Sequence, residues 1–355
     1  MSNQPRVAVV GATGAVGAAM LSVLAQREFP AREIVPFASA RSAGRMLAAV
    51  GEVQALSAGT IAGFDLALFS AGGAISREWA PQFADAGAIV VDNSSAWRMD
   101  PQVPLVVSEV NPDALAHIER GIVANPNCTA MTIMLPLKAL HDAFGLRAIV
   151  ATSLQAAGGA GQKGIDELAA QVPALHAARA RLVGDGAGAI AGVEHAVHAA
   201  PLAYNVVPWL GDQAHDGYSD EEIKLVNESR KILDIEDLAV SPTCIRVPVM
   251  VGHSIELRAT FARPPALDEA IAALEAFPGL VLDPLPTPAH YAGRDEVAVG
   301  RIRPDLADPN SLNLFVVGDN LRKGATLNAV QIAELLHSRG LLGPRTGATA
   351  TAQRG

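Results

Sequence analysis

The chain has 355 residues, half of them hydrophobic and 18% charged, which exceeds one domain and supplies enough apolar surface for two cores without disulfides. A net charge of −9 opposes attraction to nucleic-acid backbones or anionic lipid, so the expected partners are small molecules. Two cysteines, Cys128 and Cys244, are too few for a disulfide framework or a zinc site and fit a reducing, cytoplasmic setting without a metal.

The run from Val7 to Ala25 imitates a secretory signal after Arg6, but its regularly spaced glycines suit a strand, a turn and a helix better. No other stretch is long and apolar enough to predict a membrane span. Short apolar runs at Val7 to Val10, Ile34 to Ala38, Asp65 to Phe69, Ile89 to Asp92 and Gly121 to Ala124 predict strands. Ala15 to Gln26 and Ser76 to Ala86 predict helices between them, so this half is expected to be a doubly wound, Rossmann-type parallel sheet.

Between the first strand and first helix stands Gly11-Ala12-Thr13-Gly14-Ala15-Val16-Gly17. A glycine-rich turn that opens a helix aims backbone N–H groups and the positive end of the helix dipole at a pyrophosphate, so Gly11, Thr13, Gly14, Ala15 and Val16 are candidate dinucleotide contacts. The spacing is GxxGxxG rather than GxGxxG, and a plain tight turn is the alternative. After the second strand, Ser39, Arg41 and Ser42 occur with no carboxylate nearby, which favours NADP over NAD, a solvated loop being the alternative.

Asn125-Pro126-Asn127-Cys128-Thr129 lies between a strand and an apolar helical segment. A cysteine there sits at a helix N-terminus, where the dipole favours the thiolate, although a lone cysteine is commonly an inert core residue. Beyond it, Ala148 to Gln155, Cys244 to Val249 and His253 to Phe261 predict longer strands of an α+β domain. His253, behind Gly252, is the candidate general acid and base. His176, His195 and His198 fall in the Ala-rich excursion Leu175 to Pro201 and are given no role, and Cys244 is taken as a small buried hydrophobe. Glu221 and Lys224 share a helix face, where an exposed ion pair is the alternative to a binding role. Arg98 and Arg246 have apolar neighbours that suggest bound anions. Asn328 to Arg339 predicts a last helix stopped by Gly340, and residues 344–355 are expected to be disordered.

These segments, with Asn93-Ser94-Ser95-Ala96-Trp97-Arg98-Met99, Cys244-Ile245-Arg246-Val247-Pro248-Val249, Gly252-His253-Ser254 and Asp319-Asn320-Leu321-Arg322-Lys323-Gly324, resemble the aspartate-semialdehyde dehydrogenase family from about Arg6 to Gly340. The resemblance implies a Rossmann-type NADP domain over residues 1–127, completed by the C-terminal helix at about 320–343. A catalytic and dimerisation domain would span 128–319, in a homodimer, with a tetramer of paired dimers left open. It implies that Cys128 attacks the acyl carbon of aspartyl phosphate to form a thioester, that His253 shuttles the proton, and that Gln155 orients the reacting groups. Arg246 would grip the α-carboxylate, Glu221 the ammonium, and Arg98 and Lys224 the phosphate. Gly158 and Gly159 would let backbone approach the nicotinamide, with Asn320 on its carboxamide. The chain departs from the family's more frequent residues at Leu154 and Gly158.

The nearest rival, N-acetylglutamyl-phosphate reductase, has no ammonium for Glu221 to meet, and glyceraldehyde-phosphate dehydrogenase has no carboxylate for Arg246. A cysteine hydrolase or a silent NADP-binding sensor would leave either the glycine loop and Arg41 or the reactive residues without a task.

Overall fold

The computed structural model describes residues 4–48 and 50–343, so the expectation for 344–355 lies outside the described residues. The chain forms two compact units: one holds the residues up to Ser108, Pro112–Asn125 and those from Ala329 on, the other Glu109–Asn111 and Pro126–Asn328.

In chain order the first unit contains β1 (Arg6–Val10), α1 (Ala15–Gln26), β2 (Glu33–Ala38), the short pair β3 (Met46–Leu47) and β4 (Gly51–Glu52), β5 (Gln54–Ala55), β6 (Leu66–Phe69), α2 (Gly73–Asp85), β7 (Ile89–Asp92) and β8 (Ile122–Ala124). Its six-stranded sheet runs β5-β2-β1-β6-β7-β8 and every pairing is parallel. β6, β7 and β8 are buried at every position, which is why, the buried Asp92 at the end of β7 apart, they read as apolar runs rather than alternating ones. The order reverses between β1 and β6, the place where a doubly wound sheet binds its ligand. Phe37, Phe64, Phe69 and Phe83 meet edge-on or tilted in the core beneath α2.

The second unit continues with α3 (Cys128–Phe144), β9 (Leu146–Gln155), α4 (Gln162–Ala177), α5 (Arg179–Gly184), α6 (Gly186–Ile190), α7 (Asp220–Leu233), β10 (Ala239–Arg246), β11 (His253–Phe261), α8 (Leu267–Ala276), β12 (Leu280–Leu282), α9 (Pro288–Tyr291), β13 (Val297–Pro304) and β14 (Ser311–Gly318). The mixed sheet runs β10-β9-β11-β14-β13-β12, with β9 parallel to β10 and antiparallel to β11. Its register sets Gln155 beside Arg246 and Leu154 beside Ser254, so the ends of three strands carry chemistry-bearing residues.

Two expectations need correction. The strand expected at Cys244 to Val249 is β10, and it ends at Arg246: Val247 still donates to the Gln155 carbonyl, but Pro248 has no N–H to extend the ladder and Val249 turns back onto Val247. β10 begins earlier, at Ala239, because it is an edge strand and tolerates Pro242. Second, the return to the first unit begins at Ala329 rather than near residue 320. Residues Arg322–Leu327 form a π-helical turn of the second unit, held by the buried Lys323 Nζ on Glu109 at 2.6 Å.

The excursion from Leu175 to Pro201 packs Leu182, Ile190, Val193 and Ala200 against a buried cluster supplied mainly by the segments on either side of it. Ala157, Leu168, Leu175, Leu202, Ala203 and Val207 cluster, and Gln171 staples the loop by accepting N–H bonds from Leu202 and Ala203 and donating to the Glu194 carbonyl.

The last helix, α10 (Asn328–Ser338), packs in the first unit. Arg27 makes a two-pronged pair with Glu334 at 2.7 and 2.8 Å, and His337 meets the Phe29 ring edge-on. Among the described residues no helix is long and apolar enough to cross a membrane.

Candidate active site

Asn127 begins α3 in an extended conformation, and its Oδ1 accepts the Thr129 N–H at 2.9 Å, so an asparagine N-cap places Cys128 on the first helical turn. The cap is held twice more: its N–H donates to Glu228 Oε2 at 2.6 Å and its side-chain Nδ2 to Glu221 Oε2 at 3.0 Å. Cys128 Sγ, partly exposed, lies 3.2 Å from Nε2 of the fully buried His253, the first residue of β11. The Ala156 N–H donates to His253 Nδ1 at 3.1 Å, which makes Nδ1 an acceptor and leaves the ring proton on Nε2, facing the sulfur. Burial, with the nearby Arg246 charge, pushes the His253 pKa down to about 3, so the ring is neutral. The arrangement supports hydrogen-bond donation to a sulfur or oxygen anion, the acid half of the expected role; taking up a second proton is disfavoured on both counts.

Arg246, at the end of β10, is buried and donates from Nη1 to the Ala156 carbonyl at 2.7 Å. Burial lowers its pKa, against the pull of Cys128 and Glu221. Glu221 and Lys224 lie one turn apart on α7 and form the ion pair named as the alternative, Nζ to Oε1 at 2.7 Å, with Asp220 also on Nζ. Burial works against the Lys224 charge, but Glu221 and Asp220 outweigh it and raise its pKa. Gln155 is buried and its amide donates to Ser153 Oγ at 3.3 Å, beside rather than onto the reacting pair. Cys244 is buried as expected, and burial pushes its thiol up to about 12. In the first unit Arg98 is buried but donates to the carbonyls of Asn125 and Asn93 at 2.9 and 2.8 Å, so its burial alone does not call for an anion.

The glycines are shaped around these groups. A Cβ on Gly159 would stand 2.6 Å from Arg246 Nη1 and 3.3 Å from His253 Nε2. A Cβ on Gly158 would stand 2.8 Å from the Met250 carbonyl oxygen, which explains glycine at this departure from the family. The same bare position faces Asn320 Nδ2, at 3.5 Å from that hypothetical Cβ. Asn320 accepts the Gly252 N–H on Oδ1 at 2.9 Å, while its buried Nδ2 has no partner. An orphaned amide donor beside a glycine cradle fits a nicotinamide carboxamide.

In the first unit Gly11 has φ +89°, and a Cβ there would press on the Ser70 carbonyl carbon at 2.8 Å, while one on Gly17 would run into the Gly11 carbonyl. The turn therefore hugs the ends of β1 and β6. A cavity of about 400 Å³ opens there, lined among others by Gly11, Thr13, Gly14, Ala38, Ser39, Ser70 and Ala71. Ala15 and Val16 start α1 just beyond, and Arg41 and Ser42 belong to the 3-10 turn after β2, with Arg41 exposed and outside the cavity lining.

Residues 6–118 match the family described as semialdehyde dehydrogenase, NAD binding domain, and residues 137–323 the one described as semialdehyde dehydrogenase, dimerisation domain. A relative from Streptomyces akiyoshiensis named aspartate-semialdehyde dehydrogenase is 51% identical, over 93% of this chain and 98% of its own. The chain belongs to the aspartate-semialdehyde dehydrogenase family. As a member of it, the protein is an oxidoreductase with a nicotinamide-cofactor domain. A relative of the same name from Corynebacterium glutamicum is 50% identical over the same shares. Among solved structures, aspartate semialdehyde dehydrogenase II from Vibrio cholerae, complexed with ASA, is similar at a TM-score of 0.88 and 41% identity, covering 95% of this chain and 99% of that one.

Around Cys128 and Arg246 the structure also places Asn127, Glu228 and His198, to which sequence reasoning gives no role. Asn127 has a legible signal, an asparagine directly before an apolar helix. Glu228 has none, since a carboxylate in Asn227-Glu228-Ser229-Arg230 reads as a solvated helix face. His198 is buried where no role is expected for it.

Proposed function

We propose that the protein catalyses the reversible, NADPH-dependent reductive dephosphorylation of L-aspartyl 4-phosphate to L-aspartate 4-semialdehyde. It does so in the cytoplasm as a homodimer, or as a pair of dimers, on the route to lysine, threonine, methionine and isoleucine. The observation that carries the chemistry is the 3.2 Å approach of Cys128 Sγ, at the N-terminus of α3, to Nε2 of a neutral His253, the nitrogen that bears its single ring proton.

Cys128 Sγ attacks the acyl carbon as thiolate, a charge that the helix N-terminus and Arg246 both favour. The carbonyl π pair moves onto oxygen, and the His253 Nε2–H donates to the negative charge that develops. Collapse re-forms the carbonyl, breaks the C–O bond to phosphate and leaves the thioester on Cys128. A bound NADPH supplies the hydride that reduces this thioester. The same Nε2–H then stabilises the second oxyanion, whose collapse releases the aldehyde and regenerates the thiolate. Arg246 holds the α-carboxylate, Glu221 meets the ammonium, Arg98 and Lys224 take the phosphate, and Gln155 helps to orient the reacting groups. Gly158, Gly159 and Asn320 would hold the nicotinamide, and Gly11, Thr13, Gly14, Ala15 and Val16 the pyrophosphate.

The preference for NADP is supported by Ser39, Arg41 and Ser42 in the turn after β2, a turn that supplies an arginine and two hydroxyls and has no acidic residue of its own. The test follows reduced cofactor from aspartate semialdehyde, phosphate and NADP. Turnover is expected to require phosphate and to vanish in Cys128→Ser. Arg41→Ala is expected to raise the KM for NADP by about tenfold, the value of one charge-assisted contact, and to leave that for NAD unchanged. A folded protein that binds NADP yet shows no turnover sinks the substrate assignment.

A further inference from the structure

A second cavity, of about 410 Å³, is lined by Ala196, Val197, His198 and Ala199, by Trp209 to Asp212, and by Arg246. It brings the Ala-rich excursion onto the residue that is to hold the substrate carboxylate. His198 is 7% exposed, and its Nε2 lies 3.3 Å from the Gly164 carbonyl oxygen. A carbonyl can only accept, so Nε2 carries the ring proton and Nδ1 is left as an acceptor. That Nδ1 meets no partner among the described residues and is not sealed from solvent.

The ring is held from behind. Glu167 accepts the N–H groups of Ala196 at 2.6 Å, Val197 at 2.8 Å and His198 at 3.1 Å, a carboxylate gripping three consecutive amides. Burial opposes the Glu167 charge, but those bonds outweigh it and lower its pKa. Burial and the Arg246 charge lower the pKa of His198 against the pull of Gly164 and Glu167, so the imidazole stays neutral and its Nδ1 lone pair remains available.

The substrate needs such an acceptor. An α-ammonium has three N–H donors, whereas each oxygen of Glu221 already accepts one bond, from Lys224 or from Asn127, which leaves at most two acceptor sites on that carboxylate and one donor unmet. We propose that His198 is a specificity-determining residue, its Nδ1 accepting a hydrogen bond from the α-ammonium of a substrate whose carboxylate lies on Arg246. The inference rests on the aspartate-semialdehyde reading above and assigns part of its amino-group selectivity to the excursion.

Two substitutions separate recognition from support. In His198→Gln the side-chain amide can reach the Gly164 carbonyl, keeping the anchor and losing the acceptor at Nδ1; His198→Asn places a carbonyl oxygen where Nδ1 stands and loses the anchor. Both are to be compared with the unaltered enzyme on aspartate semialdehyde and on succinate semialdehyde, which lacks the amino group. His198→Gln is expected to raise the KM for aspartate semialdehyde by about tenfold and to cut the preference over succinate semialdehyde by a similar factor, the value of one hydrogen bond to a charged group. Its kcat and its KM for NADP should stay near those of the unaltered enzyme, and His198→Asn should keep more of the preference. Unchanged KM and preference in His198→Gln would overturn the inference and leave His198 an anchor for the loop, as would equal losses in both variants. If the unaltered enzyme fails to turn over aspartate semialdehyde, the substrate reading has failed first; if it turns over and His198→Gln matches it, only this inference falls.

Discussion

His253 shows how one backbone N–H decides a side chain's chemistry. Because Ala156 donates to Nδ1, the ring proton faces Cys128, and a second proton would have to displace that bond inside a fully buried pocket. The same constraint makes the fold acid-sensitive. A histidine with its folded pKa depressed to about 3, against an ordinary value of 6.5, contributes stability that is present above about pH 6.5 and lost as pH falls toward 3, since only the unfolded chain binds the proton there. Urea unfolding of His253→Gln should show a shallower loss of stability across that window than the parent, and an equal slope would mean that other groups carry it. Cys244 works in the opposite range: its thiol, raised from 9 to about 12, adds stability below pH 9 that is lost as pH rises toward 12. Cys244→Ala should flatten that alkaline loss, as read by the unfolding midpoint at pH 8 and pH 10.5.

At the scale of elements, α3 owes its catalytic end to two neighbours. Asn127→Ala removes the N-cap and the Glu221 contact together and should cost about 1 kcal/mol in denaturant unfolding, the usual value of a lost cap, with a rise in substrate KM. Gly324 in the π-helical turn leaves room for Cys128: a Cβ there would stand 2.9 Å from the Cys128 Cβ and 3.3 Å from its Cα. Gly324→Ala should therefore lower kcat by about tenfold or more through displaced geometry while NADP binding is retained, measured by kinetics beside a cofactor titration. What the sequence shows of these elements follows their physics. β6, and β7 up to Asp92, are legible as apolar runs because every position is buried, and Cys128 is legible as a helix-start cysteine because a strand, Pro126 and an apolar helix bracket it. Arg98 is legible only in part: the sequence suggests an anion beside a buried guanidinium, whereas the carbonyls of Asn125 and Asn93 that also receive its N–H groups leave no trace in sequence. His198 is illegible for a different reason: the loop that carries it has no periodicity of its own and is ordered by Gln171 and Glu167, each more than 20 residues away along the chain.

At the scale of the molecule, each unit closes on a segment that belongs elsewhere in the chain. α10, from the far end of the sequence, buries Ala329, Val330, Ile332, Ala333 and Leu336 and pairs Glu334 with Arg27. A chain ending at Asn328 should lose these contacts in the first unit only. Such a truncation is expected to abolish NADP binding and to lower the unfolding temperature, and undiminished binding would show that the sheet stands without its last helix. The second unit draws all but Glu109–Asn111 from one continuous stretch, Pro126–Asn328. That stretch is synthesised whole before the last helix of the first unit is made. The unit that starts earlier along the chain is thus the later of the two to have its full complement of residues, and during synthesis the unfinished sheet must keep its apolar strands from other chains until the final segment emerges.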